Sequence, residues 1–375
     1  MKISLLSRAP FLGGAEVACE RLALGLQQLG HDVSVIVNER NIVHDRYCEA
    51  GIRSHMYRLP LREKRTVLSY AYHWMRLFSF LKSLKPDIVH SNDLPTHQFA
   101  SSVASRLKIP IICHHRFIYD GQCINWLNRH RAHLHLFVSQ FLMNLLSNHS
   151  SLLNSQPRQV VYDGLPLGDR VTDSMRLDAR RKLGIVAGKR VVLFAGQVIE
   201  RKGVKELIDA WQILSLDTDN IELIIVGDDI QNGGEYRKEM EAYARGMGGA
   251  VRFLGFQKNV PDLLKAADIA VVPSREEPLG NATLEAMATG LPVIGTRTGG
   301  IPEMVVHEQT GLLVPVQAPQ ELASAMRKLL ANRSLALRLG EAGRLRCEQF
   351  FDLPGHVKAI EGIYEMLILQ KGQVS

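Results

Sequence analysis

Short apolar runs alternate with helical spacings along nearly the whole chain. Lys2–Ser7 reads as a strand, followed by a Gly-Gly turn. Glu16–Leu29 places Val17, Leu22, Leu26 and Leu29 on one helical face and stops at Gly30, a residue suited to the position just past a helix end. Asp32–Val37, Asp87–His90, Ile109–His114, Leu134–Ser139 and Gln159–Tyr162 continue the strand series. A polar stretch, Asp163–Gly188, interrupts it. The pattern then restarts with Arg190–Gly196, Ile221–Gly227, Val251–Phe256, Asp268–Pro273, Pro292–Gly295 and Gly311–Val314, with helical segments between. Short Val/Ile/Leu runs separated by helices predict parallel strands buried on both faces. The expected fold class is α/β, with two doubly wound Rossmann-like domains. The boundaries fall at 1–168 and 169–354, and a last helix at about 355–375 returns to the first domain. Ligands on such sheets collect at the carboxyl ends of the strands, and the cleft between two such domains is the expected active site.

Composition narrows the function class. The chain has 375 residues, 46% hydrophobic and 22% charged, which excludes a disordered, collagen-like or coiled-coil protein. No apolar run reaches the roughly 18 residues of a membrane-spanning helix, and the first residues do not read as a signal peptide. Five cysteines, at positions 19, 48, 113, 123 and 347, form no C-x-x-C pair. A disulfide framework is not expected, and a cytoplasmic location is. The net charge of +7 is unevenly placed: residues 1–170 hold 20 Lys and Arg against 12 Asp and Glu, and 12 of the 14 histidines. A basic half suits a membrane surface or an anionic substrate, or is simply solvated. No nucleic-acid motif accompanies it, so nucleic acid is not an expected partner.

The richest segment runs from Pro273 to Gly295 as strand, acidic loop, helix, Gly-Leu-Pro turn and strand. Glu277 sits in the loop, and Glu285 lies about one turn inside the helix. Backbone N–H groups around Gly280–Thr283 are free to bind anionic or hydroxyl oxygens. Two carboxylates beside them suit vicinal hydroxyls, although an isolated E-x7-E is commonly a solvated charge pair. Phe194–Gly203 ends the first strand of the second domain with Arg201 and Lys202, a cation pair that in isolation is usually just solvated. Gly13-Gly14 permits close backbone approach at the start of the first helix, and the dinucleotide fingerprint G-x-G-x-x-G is absent. Cys113-His114-His115-Arg116 ends another first-domain strand. The adjacent histidines suggest metal binding, but no third ligand stands at useful spacing, so no metal site is expected. Asp217-Thr218-Asp219 resembles a metal-binding D-x-D but reads as a solvated loop. Arg53–Lys85 combines Arg58, Arg62, Lys64 and Arg65 with Tyr70, Tyr72, Trp74, Phe78 and Phe80, the composition of an interfacial segment or of a helix whose aromatics face the core.

Taken together, these pieces resemble the retaining nucleotide-sugar glycosyltransferases of the GT-B fold, family four (glycosyl transferases group 1). The resemblance spans nearly the whole chain. It rests on the Glu277–Glu285 segment, Thr298–Val305, Thr310–Pro315, Gly13–Glu16, Asp87–Asp93, Val138-Ser139, Val161–Gly164 and the loop ending Lys202-Gly203. It implies that Glu277 and the backbone at Gly280 and Asn281 hold the donor sugar, and that Glu285 holds the ribose. Lys202 and Arg201, with the Gly14 loop, would face the diphosphate. Backbone near Phe256 would meet the base, and one of His114, His115 and Arg116 the sugar or acceptor. It also implies a UDP- or GDP-sugar donor, a glycan or lipid-linked acceptor, contact with a membrane surface, and no cofactor or metal. One position departs from the pattern: Gln197 stands where the family usually has an Arg, so Arg201 would supply the missing cation. An epimerase of the same fold and a non-catalytic sugar-nucleotide-binding homologue are the alternatives. A phosphorylase would need a pyridoxal lysine that the sequence does not offer.

Overall fold

The computed structural model describes residues 1–60, 67–119, 130–216, 220–230, 232–247 and 250–374. Arg62, Lys64, Arg65, Cys123 and the Asp217-Thr218-Asp219 triplet lie outside these residues. The chain forms two compact units, Met1–Pro166 with Asp352–Ser375, and Leu167–Phe351.

The first unit is built on seven strands: β1 (Lys2–Ser7), β2 (Asp32–Val37), β3 (Arg53–Met56), β4 (Ile88–Ser91), β5 (Ile111–His115), β6 (Leu134–Phe137) and β7 (Arg158–Val160). They pair in parallel in the order β3-β2-β1-β4-β5-β6-β7. Alternation sends Ile3 and Leu5 into one core and Leu6 into the other, so each face of the sheet is covered. Edge strand β3 has no apolar run, only Arg-Ser-His-Met, and is half exposed. Periodicity therefore gave no sign of it inside the segment 53–85. The rest of that segment holds the helix Val67–Leu84, in which Leu77 and Leu81 are buried. Tyr70, Trp74, Phe78 and Phe80 pack against the same core, whereas Val67, Leu68, Tyr72 and Met75 are exposed.

The last helix, Leu353–Val374, lies against the helix Gly14–Gln28, with Val357, Ile360, Ile363, Tyr364 and Leu367 in a common core with Leu22 and Leu26. Gly25 makes this approach possible: a Cβ there would stand 2.4 Å from a Val357 methyl. No described helix is long and apolar enough to cross a membrane.

The second unit has six parallel strands: β8 (Arg190–Ala195), β9 (Ile221–Val226), β10 (Val251–Gly255), β11 (Ile269–Val272), β12 (Val293–Thr296) and β13 (Leu312–Val314). Their order is β10-β9-β8-β11-β12-β13. Trp211 is among the largest fully buried side chains, in a core shared with Phe194, Leu207 and Met326. The strand order reverses beside β1 in the first sheet and beside β8 in the second. At such a switch point the loops leaving adjacent strands diverge and open a crevice at the carboxyl ends.

Candidate functional site

In the second unit the crevice lies between the ends of β8 and β11, and the loops there carry the sequence-predicted residues. After β8 the chain runs through Gly196 and Gln197 into a single 3-10 turn, Glu200–Lys202, closed by Gly203 with φ +70°. A side chain at Gly203 would put its Cβ 2.0 Å from the Pro273 carbonyl oxygen, so only glycine lets the loops after β8 and β11 touch. Backbone joins them too, because the Arg275 N–H donates to the Arg201 carbonyl at 2.8 Å.

Lys202 and Glu277 meet here. The Lys202 ammonium donates to Glu277 Oε2, and the Ser274 hydroxyl donates to the same oxygen at 3.2 Å. The side chains are 17% and 8% exposed, so the pair is largely withdrawn from water, where each charge depends on its partner. Glu277 is held by its backbone as well. Its carbonyl accepts from the Gly300 N–H at 3.0 Å, and Gly299, with φ +58°, passes so close that a Cβ would lie 1.7 Å from that oxygen. Thr296 and Thr298, at and beyond the end of β12, donate to the Ser274 and Arg275 carbonyls at 2.5 and 3.1 Å.

Arg201 donates to the Glu276 carbonyl at 2.9 Å. The neighbouring Arg275 is bound by Glu200 at 2.5 Å and Glu206 at 2.7 Å. The two arginines thus differ in kind: Arg275 is spent on two carboxylates, while Arg201 donates to a neutral carbonyl. The helix Asn281–Ala288 starts at Gly280, whose φ of +108° turns the chain out of the acidic loop. Thr283, in its first turn, has a buried hydroxyl without a hydrogen-bond partner among the described residues. Sequence alone assigned no role to the Ser274 and Thr283 hydroxyls or to the close approach of Gly299, because small residues in a loop carry no signal until their neighbours are known. Glu285 and Asn281 are half-buried on the same helix.

The ends of β9 and β10 adjoin this loop system. Gly227, with φ +128°, crosses the β8 loop so tightly that a Cβ would fall 1.7 Å from the Gly196 carbonyl oxygen. The Val198 N–H donates to the Asp228 carbonyl at 3.0 Å, fixing the half-buried Gln197 between two anchored neighbours. Phe256 follows β10 and is 43% exposed, a large aromatic left uncovered at a strand end.

In the first unit, Gly14 is exposed at the start of its helix, and the Gly13 N–H donates to Glu16 Oε2 at 3.0 Å. Burial pushes the Glu16 carboxyl up to about 7, an effect that its backbone hydrogen bonds only partly oppose. His114, His115 and Arg116 are all buried, and strand alternation sends the two histidines to opposite faces. On one face Arg116 pairs with Asp163 at 2.5 Å, donates to Asn92 Oδ1 at 2.7 Å, and reaches His114 Nδ1 at 3.3 Å.

Because guanidinium can only donate, His114 Nδ1 is an acceptor. His90 Nε2 therefore donates to it at 3.1 Å, and His90 Nδ1 accepts from the Tyr364 hydroxyl at 2.6 Å. Burial holds the imidazole of His90 down at about 3 and that of His114 well below the usual range, so both stay neutral. On the other face His115 stacks on Phe137 and contacts His135. His115 Nε2 and the Arg116 guanidinium are thus engaged inside the first unit.

Comparison with known proteins agrees with this architecture. Residues 175–346 match the model for glycosyl transferases group 1, and residues 12–167 match glycosyltransferase family 4. An uncharacterized glycosyltransferase of Methanocaldococcus jannaschii is 26% identical over 86% of each chain. The lipopolysaccharide core biosynthesis glycosyltransferase LpsE of Rhizobium meliloti is 36% identical over 44% of this chain and 46% of its own length. Among solved structures, Anabaena HepE in complex with UDP and glucose superposes with a TM-score of 0.86, at 22% identity, over 97% of this chain and 99% of its own. Two parallel sheets with flanking helices, each with its own switch point, define the GT-B fold. The chain belongs to the glycosyl transferases group 1 family, with a family 4 first half.

Proposed function

We propose that this glycosyltransferase moves a sugar from a nucleotide-sugar donor to a glycan or lipid-linked acceptor, with retention of anomeric configuration. The observation that carries this reading is the Lys202–Glu277 pair at the strand-order switch of the second unit. It sets a cation and a carboxylate side by side where a ligand carrying both phosphate and hydroxyl groups would enter. Glu277, with the backbone at Gly280 and Asn281, holds the donor sugar. Glu285 grips the ribose hydroxyls, and Phe256 with its adjoining backbone meets the base. Lys202 and Arg201, helped by the Gln197 amide, take up the charge that grows on the departing diphosphate. These donors are fixed before reaction, so they need little reorganisation in the transition state.

The bond from the anomeric carbon to the phosphate oxygen breaks as the bond to the acceptor oxygen forms on the same face. The acceptor's proton passes to the departing phosphate oxygen. No protein nucleophile and no metal are required by this route. Buried His115 and Arg116 act as positioning residues beneath the first unit's strand ends rather than as groups touching the acceptor. HepE, described with UDP-glucose, supports UDP ahead of GDP as the nucleotide, and LpsE supports an acceptor from envelope glycan synthesis. The basic first unit and the exposed Val67, Leu68, Tyr72 and Met75 support a cytoplasmic enzyme that visits the membrane surface to reach a lipid-linked acceptor.

The test is a metal-free thermal-shift screen against UDP, GDP, ADP and their sugar conjugates, followed by turnover of Glu277→Ala. A shift with UDP and its sugars, with turnover lost and nucleotide binding kept in the variant, is the expected result. Unchanged turnover in Glu277→Ala would overturn the role of Glu277, and no shift with any nucleotide at millimolar concentration would overturn the donor class.

A further inference from the structure

The face of the first sheet that carries His115 holds a cluster of one thiol and two imidazoles. Parallel register sets Cys113 of β5 opposite His135 of β6, and His115, two residues beyond Cys113, projects from the same face. The sequence offered no third ligand near the histidine pair because that ligand lies 20 residues away on the neighbouring strand. It pairs with His115, not with His114. Cys113, His115 and His135 are each 0% exposed, and one ligating atom from each lies within 4.8 Å of the others.

Two observations bear on which nitrogens these histidines present. First, Gln156 Oε1 accepts from the Ala132 N–H at 3.2 Å and from His135 Nε2 at 3.1 Å. His135 is therefore protonated on Nε2 and presents the lone pair of Nδ1 to the cluster, which is how metal-binding histidines are oriented from behind. Second, His115 Nδ1 is buried without a hydrogen-bond partner among the described residues, and its Nε2 lies 3.0 Å from His135 Nδ1. Two imidazole nitrogens on one ion, each at about 2.0 Å, stand about 3.3 Å apart, so little movement is needed.

We infer that Cys113, His115 and His135 form a buried site for a single thiophilic cation, and that the ion is Cu(I). One thiolate and two neutral imidazoles around Cu(I) have no net charge, whereas Zn(II) would leave one uncompensated positive charge in a fully buried place. Three ligands also satisfy Cu(I) but leave Zn(II) one short of its usual four. On binding, the Cys113 S–H bond is replaced by an S–Cu bond and its proton leaves to solvent. The proton on His115 Nε2 moves to Nδ1. No atom changes oxidation state.

The test uses the full chain, kept reduced, with Cu(I) supplied in competition with a chromophoric Cu(I) chelator. Wild type is expected to retain one equivalent. Cys113→Ser and His135→Gln should hold it at least tenfold more weakly. Cys48→Ser, which removes the exposed thiol beside His44, should retain it like wild type. X-ray absorption of the wild-type complex, which needs no variant to fold, should show one sulfur and two imidazole nitrogens around copper. A sulfur-only shell, retention lost only with Cys48, no retained copper, or displacement of Cu(I) by equimolar Zn(II) would each overturn the assignment.

Discussion

Lys202 and Glu277, separated by 75 residues, form an ion pair in which the carboxylate oxygen that receives the ammonium also receives the Ser274 hydroxyl. Removing either partner leaves the other charge poorly compensated in a half-buried place. Lys202→Met is therefore expected to slow sugar transfer at least a hundredfold. It should also destabilise the second unit by up to ~3 kcal/mol, the scale on which broken buried pairs act. Steady-state rates with the identified donor, together with urea unfolding, check both parts. Lys202→Arg should restore much of the stability but less of the rate, because its planar head cannot reproduce a compact ammonium.

Gly299 and Gly290 separate close backbone approach from mere positive φ. Both are left-handed, at +58° and +76°, but a Cβ at Gly299 would meet the Glu277 carbonyl oxygen at 1.7 Å, whereas Gly290 opens to free space. Gly290→Ala is expected to cost about 1 kcal/mol, the ordinary left-handed penalty. Gly299→Ala should cost several times more and abolish turnover, since it displaces the backbone of Glu277 itself. Thermal melts of the two variants side by side provide the comparison.

Glu16 should leave a pH signature. Its folded pKa is raised from 4.5 to about 7 by burial. Between these values the native state holds a proton that the unfolded chain has lost. Stability from this group is thus complete below about pH 4.5 and declines as pH rises to about 7, by roughly 3 kcal/mol in all. Glu16→Gln removes that decline. The difference in unfolding free energy between variant and wild type should move in favour of the variant from pH 5 to pH 8, as read by denaturant titration at both. Equal pH dependence in the two proteins would show that Glu16 is ionised in the fold.

Tyr364 ties the last helix to the first sheet through the acceptor nitrogen of His90. Tyr364→Phe keeps the ring in its core and leaves that nitrogen without its partner, at an expected cost of about 1–3 kcal/mol. Hydrogen exchange should report the loss in the helix Leu353–Val374 and in β4, and leave the second unit's strands unchanged.

The division between local and non-local information runs through single residues. Strands β1, β2, β8, β9 and β11 were legible because continuous Val/Ile/Leu runs have no other soluble use than a doubly covered parallel sheet. Edge strand β3 was not, because a half-exposed edge makes no demand for apolar residues. The Glu277–Glu285 loop and helix were legible from the local grammar of strand end, acidic loop, glycine and helix. The histidine pair misled in one respect. Neighbours in a strand point apart, so His114 belongs to the Arg116–His90–Tyr364 network, and His115 to the cluster with Cys113 and His135.

By itself, then, the sequence determined the α/β class, the order of its apolar strands and the glycine-bounded loops at their ends, since these follow from hydrophobic period, glycine geometry and helix-start signals within a few residues. Only the tertiary structure decided that Lys202 bonds Glu277, that Gly299 must pass beneath its carbonyl, and that Cys113 shares its surroundings with His135. Those relationships depend on strand order and register, which the packing of distant segments sets and no local stretch of chain encodes.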